Sequence, residues 1–152
     1  MRVAIGSDHG GFMLKQEIKK FLEQEKVAYH DYGTLSQESC DYPDIALAVA
    51  EAVTGRDCTC GILICGTGIG VSIVANKVPG IRAALCHDTF SARMARAHNN
   101  ANVLAFGERV IGSGLATEIV RVWLDSEFAG GRHGRRVDKI GAVERRFGRT
   151  GE

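Results

Sequence analysis

Apolar positions along this chain recur with two periods, and the two alternate. Short, largely apolar runs over residues 2–5, 27–32, 62–65, 82–86 and 103–106 read as strands. Between them the spacing turns helical. Leu14, Ile18, Phe21 and Leu22 fall at i, i+4, i+7 and i+8, one face of a helix. Residues 33–43 form a polar loop, and Asp44 is placed to cap an alanine-rich helix that runs to about Val53. Residues 71–77 and 89–98 read as further helices. Ala116, Ile119, Val120, Trp123 and Leu124 share one face of a later helix, and a last amphipathic stretch covers 137–147. No repeat or linker interrupts the series.

Strands separated by helices predict an α/β fold, a parallel sheet with helices on both faces. Crossovers in such sheets are right-handed, and ligands bind beyond the carboxyl ends of the strands. That rule gathers four distant segments at one rim: Asp8-His9, Cys65 to Gly70, His87-Asp88, and Gly107 to Arg109. A single domain over residues 1–152 is expected, with a C-terminal helix and basic tail from about 130.

Composition narrows the classes. Hydrophobic residues make up 45% and charged residues 24%, ordinary for a globular chain. A net charge of +1 gives no global pull toward nucleic acid or membrane. No apolar run approaches the ~20 residues of a spanning helix. The N-terminus runs straight into strand pattern, so no signal peptide is expected. The five cysteines show no disulfide spacing, and a reducing cytoplasm is the simplest compartment.

The densest chemistry lies in Cys65-Gly66-Thr67-Gly68-Ile69-Gly70, where a buried strand meets a glycine loop and a helix start. Glycines admit close backbone approach, and N–H groups at a helix start attract anions. A thiol at such a junction loses its proton more readily than a free one. A tight strand–helix turn with a buried cysteine is the plain alternative. Asp8 alone reads first as a helix cap and second as an acceptor for sugar hydroxyls, and His9 as a turn residue or an anion contact. His98-Asn99-Asn100 is either a helix end or a general acid/base with an adjacent amide. Arg109 either pairs with Glu108 or binds an anion. Between Arg132 and Glu152 basic residues outnumber acidic ones, which suits a solvated tail or a phosphate site. No metal or nucleotide cofactor is expected. Cys58-Thr59-Cys60 has no second pair at zinc spacing, Val71 stands where a dinucleotide fingerprint needs glycine, and no Walker lysine follows. Cys58 and Cys60 read as surface thiols before a strand.

Several long motifs together resemble ribose-5-phosphate isomerase type B, within the wider family that includes the galactose-6-phosphate and allose-6-phosphate isomerases. They are Gly6-Ser7-Asp8-His9-Gly10-Gly11, Asp41-Tyr42-Pro43, Ile64-Cys65-Gly66-Thr67-Gly68-Ile69-Gly70, Ala75-Asn76-Lys77, His98-Asn99-Asn100-Ala101-Asn102-Val103-Leu104-Ala105-Phe106-Gly107 and Gly131-Arg132-His133. The resemblance runs from Arg2 to about Phe147. It implies a Rossmann-like three-layer α/β/α domain with a five-stranded parallel sheet, and a homodimer or tetramer with sites shared between subunits. It implies ribose 5-phosphate/ribulose 5-phosphate isomerisation with neither metal nor cofactor. By resemblance Cys65 is the base that moves a proton between C1 and C2. Thr67 and the loop amides of Gly66, Gly68, Ile69 and Gly70 stabilise the enediolate, and His98 opens the furanose ring. Asp8 and Tyr42 lie near the sugar, Asn99 donates to it, and His9, Arg109, Arg132 and Arg136 bind the phosphate. A branch of the family replaces the cysteine by a glutamate downstream, at the position of Val71 here, so Cys65 is the base left in the loop. A six-carbon sugar phosphate as substrate, a non-catalytic sugar-phosphate sensor, and a thiol hydrolase built on Cys65 and His98 are the competing readings.

Overall fold

The computed structural model describes residues 1–148. Five parallel strands form one sheet: β1 (Arg2–Ser7), β2 (Ala28–Asp31), β3 (Cys60–Cys65), β4 (Ala83–Leu85) and β5 (Val103–Gly107). Their spatial order is β2-β1-β3-β5-β4. The helices are α1 (Phe12–Gln24), α2 (Tyr42–Thr54), α3 (Ile69–Ala75), α4 (Thr89–Asn99), α5 (Ser113–Asp125) and α6 (Arg132–Phe147). The α/β expectation holds, with every strand found within a residue or two of its apolar run.

Alternation along the inner strands builds two cores, because successive side chains leave opposite faces of a sheet. Val3, Ile5, Ile62, Ile64, Leu104 and Phe106 face α1, α4 and α5. Ala4, Leu63, Cys65, Val103 and Ala105 face α2 and α3. The small residues on the second face let the alanine-rich α2 pack close. Trp123 of α5 is wholly buried in the first core.

One charge is buried on purpose. Lys15 has no exposed surface; its Nζ donates to Asp31 Oδ1 at 2.7 Å and to the carbonyl of Thr34. Lys19 holds the other carboxylate oxygen at 2.9 Å. Burial works to raise the Asp31 pKa, but the bonds from Lys15, Lys19 and the Gly33 N–H outweigh it and hold the carboxyl below its ordinary value. This knot ties down the segment after β2, whose Gly33 carbonyl and Thr34 N–H bond the Ser7 backbone at 2.7 and 2.6 Å. The end of β1, which carries Asp8 and His9, is thereby fixed.

Three expectations are corrected. The residue before α2 is Asp41, not Asp44; Tyr42 and Pro43 already belong to the first turn, where proline's missing N–H costs nothing. Cys58 and Cys60 are buried, 3% and 2% exposed, not surface thiols. Cys60 points into the α1 face, and burial pushes its thiol up to about 11. The basic run after Gly131 is the first turn of α6, not a tail, so that helix begins ahead of residue 137. The end of the expected tail, residues 149–152, lies outside the described residues.

Candidate active site

Parallel strands bring the ends of β1, β3, β4 and β5 to one edge of the sheet, and the four predicted segments meet there. The Cys65 side chain closes β3 on the α2/α3 face, 5% exposed, with the Gly68 N–H donating to its Sγ at 3.1 Å. Gly68 is left-handed, with φ of 77°, and so turns the chain from strand into α3. Thr67 stands exposed beside the thiol, its Oγ1 accepting the Ile69 N–H at 3.2 Å.

A second glycine sets how tightly the rim closes. A Cβ on Gly107 would lie 2.6 Å from the Thr67 backbone, so the end of β5 lies directly on the loop. The Glu108 and Arg109 amides continue this contact, donating to the carbonyls of Cys65 and Gly66 at 2.9 and 3.0 Å. His87 accepts the Gly107 N–H on Nε2 at 3.0 Å, anchoring β5 from the β4 side. Glu108 does not pair with Arg109. It accepts the Leu14 N–H at 2.9 Å and caps α1, which leaves Arg109 exposed at the rim with its guanidinium over Gly66.

Asp8, Tyr42, Cys65, Gly66, Thr67, Ile69, Gly70, Ile73 and Arg109 line an open cavity of about 440 Å³. Tyr42 fits because Gly70 lacks a side chain; a Cβ there would strike its ring at 2.7 Å. Asp8 does cap the turn after β1, one oxygen accepting the Gly11 N–H at 3.2 Å. His9 sits exposed beside the cavity, its Nδ1 accepting the Cys40 N–H at 3.2 Å, so the neutral ring carries its proton on Nε2 as a donor. The cavity thus offers a thiol, a hydroxyl, a carboxylate, a phenol, a guanidinium and loop amides. That set suits proton transfer beside a developing negative oxygen.

A larger groove of about 730 Å³ lies under α6, walled by Ile81, Ala83, Ile140, Val143 and Phe147. Its polar groups serve the main chain. Asn76 bonds the Ala83 N–H and carbonyl, Arg82 the carbonyls of Asn99 and Asn100, and Glu144 the Gly80 N–H. The smaller cavity is therefore the candidate active site.

The model for the Ribose/Galactose Isomerase family matches residues 3–140. The chain belongs to that family. It is 52% identical to Escherichia coli ribose-5-phosphate isomerase B over 95% of this chain and 97% of that protein. It is 50% identical to Pectobacterium atrosepticum D-erythrulose-4-phosphate isomerase, over 95% of each. The fold superposes on Clostridium thermocellum ribose-5-phosphate isomerase B with a TM-score of 0.96 at 57% identity, over 97% and 99% of the two chains.

Within this family frame, four expected site residues stand apart from the thiol. His98 and Asn99 end α4, which runs from Asp88 at the carboxyl edge back toward the start of β5. β5 alone spans roughly 13 Å from that start to the Gly107 beside Cys65. Arg132 and Arg136 lie exposed on the first turns of α6. His133, which the sequence reading left without a role, stacks on His98 with ring centroids 4.0 Å apart and planes 5° apart. The expected site residues of one chain therefore fall into two groups at opposite edges of its sheet. Among the described residues no group of three His, Cys, Asp or Glu side chains is arranged to hold a metal ion, and no helix is long and apolar enough to cross a membrane.

Proposed function

We propose that the protein is an aldose–ketose isomerase that interconverts ribose 5-phosphate and ribulose 5-phosphate, the exchange required by the non-oxidative branch of the pentose phosphate pathway. One observation carries the reading: a thiol on the wall of an open cavity, beside a hydroxyl, loop amides and Arg109. In the open-chain aldose, the Cys65 thiolate takes the proton from C2. The carbonyl oxygen at C1 becomes an enediolate oxygen, and the loop amides and Thr67 stabilise its charge. The proton on O2 passes to the enediolate oxygen at C1, and Cys65 returns its own proton to C1, leaving a hydroxyl at C1 and the carbonyl at C2. Neither oxidant nor metal enters this balance.

Ring opening precedes that step. His98 moves a proton from the anomeric hydroxyl to the ring oxygen, and Asn99 donates to the sugar. Asp8 and Tyr42 hold the sugar; His9, Arg109, Arg132 and Arg136 hold the phosphate. Because His98, Asn99, Arg132 and Arg136 lie at the far edge of their own sheet, the reading requires a second copy of the chain to supply them. The assembly is a homodimer or a tetramer with shared sites. The reading puts the enzyme in the cytoplasm, where its five cysteines, all unpaired, stay reduced.

The test is ketose formation from ribose 5-phosphate, run beside four- and six-carbon aldose phosphates. Mixing inactive Cys65→Ala and Arg132→Ala chains then tests the sharing. Heterodimers keep one intact site, so activity should return. Absence of ribose 5-phosphate turnover would overturn the substrate. A mixture that stays dead, with subunit exchange shown by mass, would overturn the shared site.

A further inference from the structure

His98 and His133 are distant in sequence, yet their rings lie flat on one another, 4.0 Å between centroids. The contact is built, not incidental. The Ala129 N–H donates to the Ala97 carbonyl at 2.9 Å and pins the approach to α6 against the last turn of α4. Gly130 and Gly131 follow, both at positive φ, 64° and 54°, where the chain reverses into the helix. The His133 N–H then donates to the Gly130 carbonyl at 3.0 Å, which fixes the start of the helix and the root of the side chain. Nothing in the resemblance gives His133 a role.

We propose that His133 is the positioning residue of His98, holding the plane of its imidazole by face-to-face stacking for proton exchange with the sugar ring. This rests on the reading in which His98 opens the ring. A ring on a helix end otherwise turns freely about its side-chain bonds, and acid/base catalysis needs its nitrogen aimed at one oxygen.

Charge acts on the His133 ring. The groups around it are His98 from α4 and Arg132 and Arg136 from α6, with no acid among them. Partial burial first, then these three, hold His133 below the ordinary histidine value. The shift favours the neutral form of His133, which suits a ring that serves as a platform for its stacked neighbour.

The experiment compares His133→Leu, which keeps bulk without a flat ring, with His133→Phe, which keeps a flat ring that cannot titrate. Wild type and His98→Asn run beside them, all as full-length chains whose fold is checked by urea melting. His133→Leu should lower kcat for ribose 5-phosphate about tenfold while KM changes less than about twofold, and His133→Phe should recover most of it. In the wild type, proton NMR should show His133 gaining its proton at lower pH than an ordinary histidine. The proposal fails if His133→Leu keeps wild-type kcat, or if KM rises while kcat holds, which marks a phosphate ligand. It also fails if His133→Phe is as impaired as His133→Leu, or if His133 titrates at or above the ordinary histidine value. Full turnover by His98→Asn would instead overturn the role of His98 itself, and with it the reading beneath.

Discussion

Gly107→Ala adds one methyl where β5 meets the loop after Cys65. Its Cβ would sit 2.6 Å from the Cα and carbonyl carbon of Thr67 and 2.7 Å from the Gly66 oxygen. All three neighbours are backbone, so no side chain can swing aside. Restoring an ordinary 3.4 Å contact from 2.6 Å moves the two segments apart by roughly 0.8 Å. Overpacking of this kind costs about 2 kcal/mol. At a urea m-value of about 2 kcal/mol/M, the unfolding midpoint drops by about 1 M. The effect on rate is larger, because a displacement near 1 Å at a reacting centre costs roughly 100-fold. Gly114→Ala is the control. Its Cβ meets nothing within 4 Å in the first turn of α5, so midpoint and turnover should hold or rise slightly. Urea melts followed by circular dichroism and ribose 5-phosphate assays read both quantities. A Gly107→Ala enzyme with the wild-type midpoint and kcat would refute the claim that this contact sets the loop.

Cys65→Ala should leave the melt nearly unchanged and remove isomerisation; retained wild-type turnover would rule the thiol out as base. Alkylation at neutral pH should inactivate through Cys65, with Cys60 and Cys86, both pushed by burial to about 11, left unmodified in the mass spectrum. His98→Asn should lose far more on ribose 5-phosphate than on erythrose 4-phosphate, whose phosphorylated O4 cannot close a furanose; equal losses would argue for a structural histidine. Lys15→Met should cost about 3 kcal/mol, because it leaves the Asp31 carboxylate half-buried with one partner fewer. Asp31 is depressed below its ordinary value of 3.8, so its contribution is present above that pH and is lost as pH falls through the lower folded value. Wild-type stability should therefore drop on acidification below about pH 4, and the Lys15→Met melt should drop less.

The inner strands and the thiol loop were legible because their signals are local. An apolar run long enough for a buried strand, then alternating glycines, leaves few other conformations for residues 62–70. The start of α6 was not legible. Its first turn reads Arg-His-Gly-Arg-Arg, without an apolar period, and the helix shows in the pattern only from Val137. Cys58 and Cys60 were misplaced because Arg56, Asp57 and Thr59 around them are polar; what buries Cys60 is α1, contributed from far along the chain. The His98–His133 stack joins two segments whose own sequences carry no trace of each other. The rim was inferred from the rule for parallel sheets, whereas sites shared between subunits came from the family resemblance alone. The distance of His98 and Asn99 from Cys65 follows from the direction of α4, which the pattern did not supply.

The strand order has a consequence for the chain as it is made. β5, last in sequence, lies between β3 and β4, and β4 bonds to nothing else in the sheet. A nascent chain that has emerged only as far as Leu85 owns β1, β2 and β3 as a contiguous ribbon, while β4 has no neighbour to bond. Its groups stay wetted until Val103–Gly107 leaves the ribosome and slots into the gap. The same insertion brings the Gly107 amide to His87 and lays β5 on Thr67. Closure of the sheet and assembly of the candidate site are then one event, late in synthesis, and a fragment stopped before residue 107 would hold Cys65 without the wall that shapes its loop.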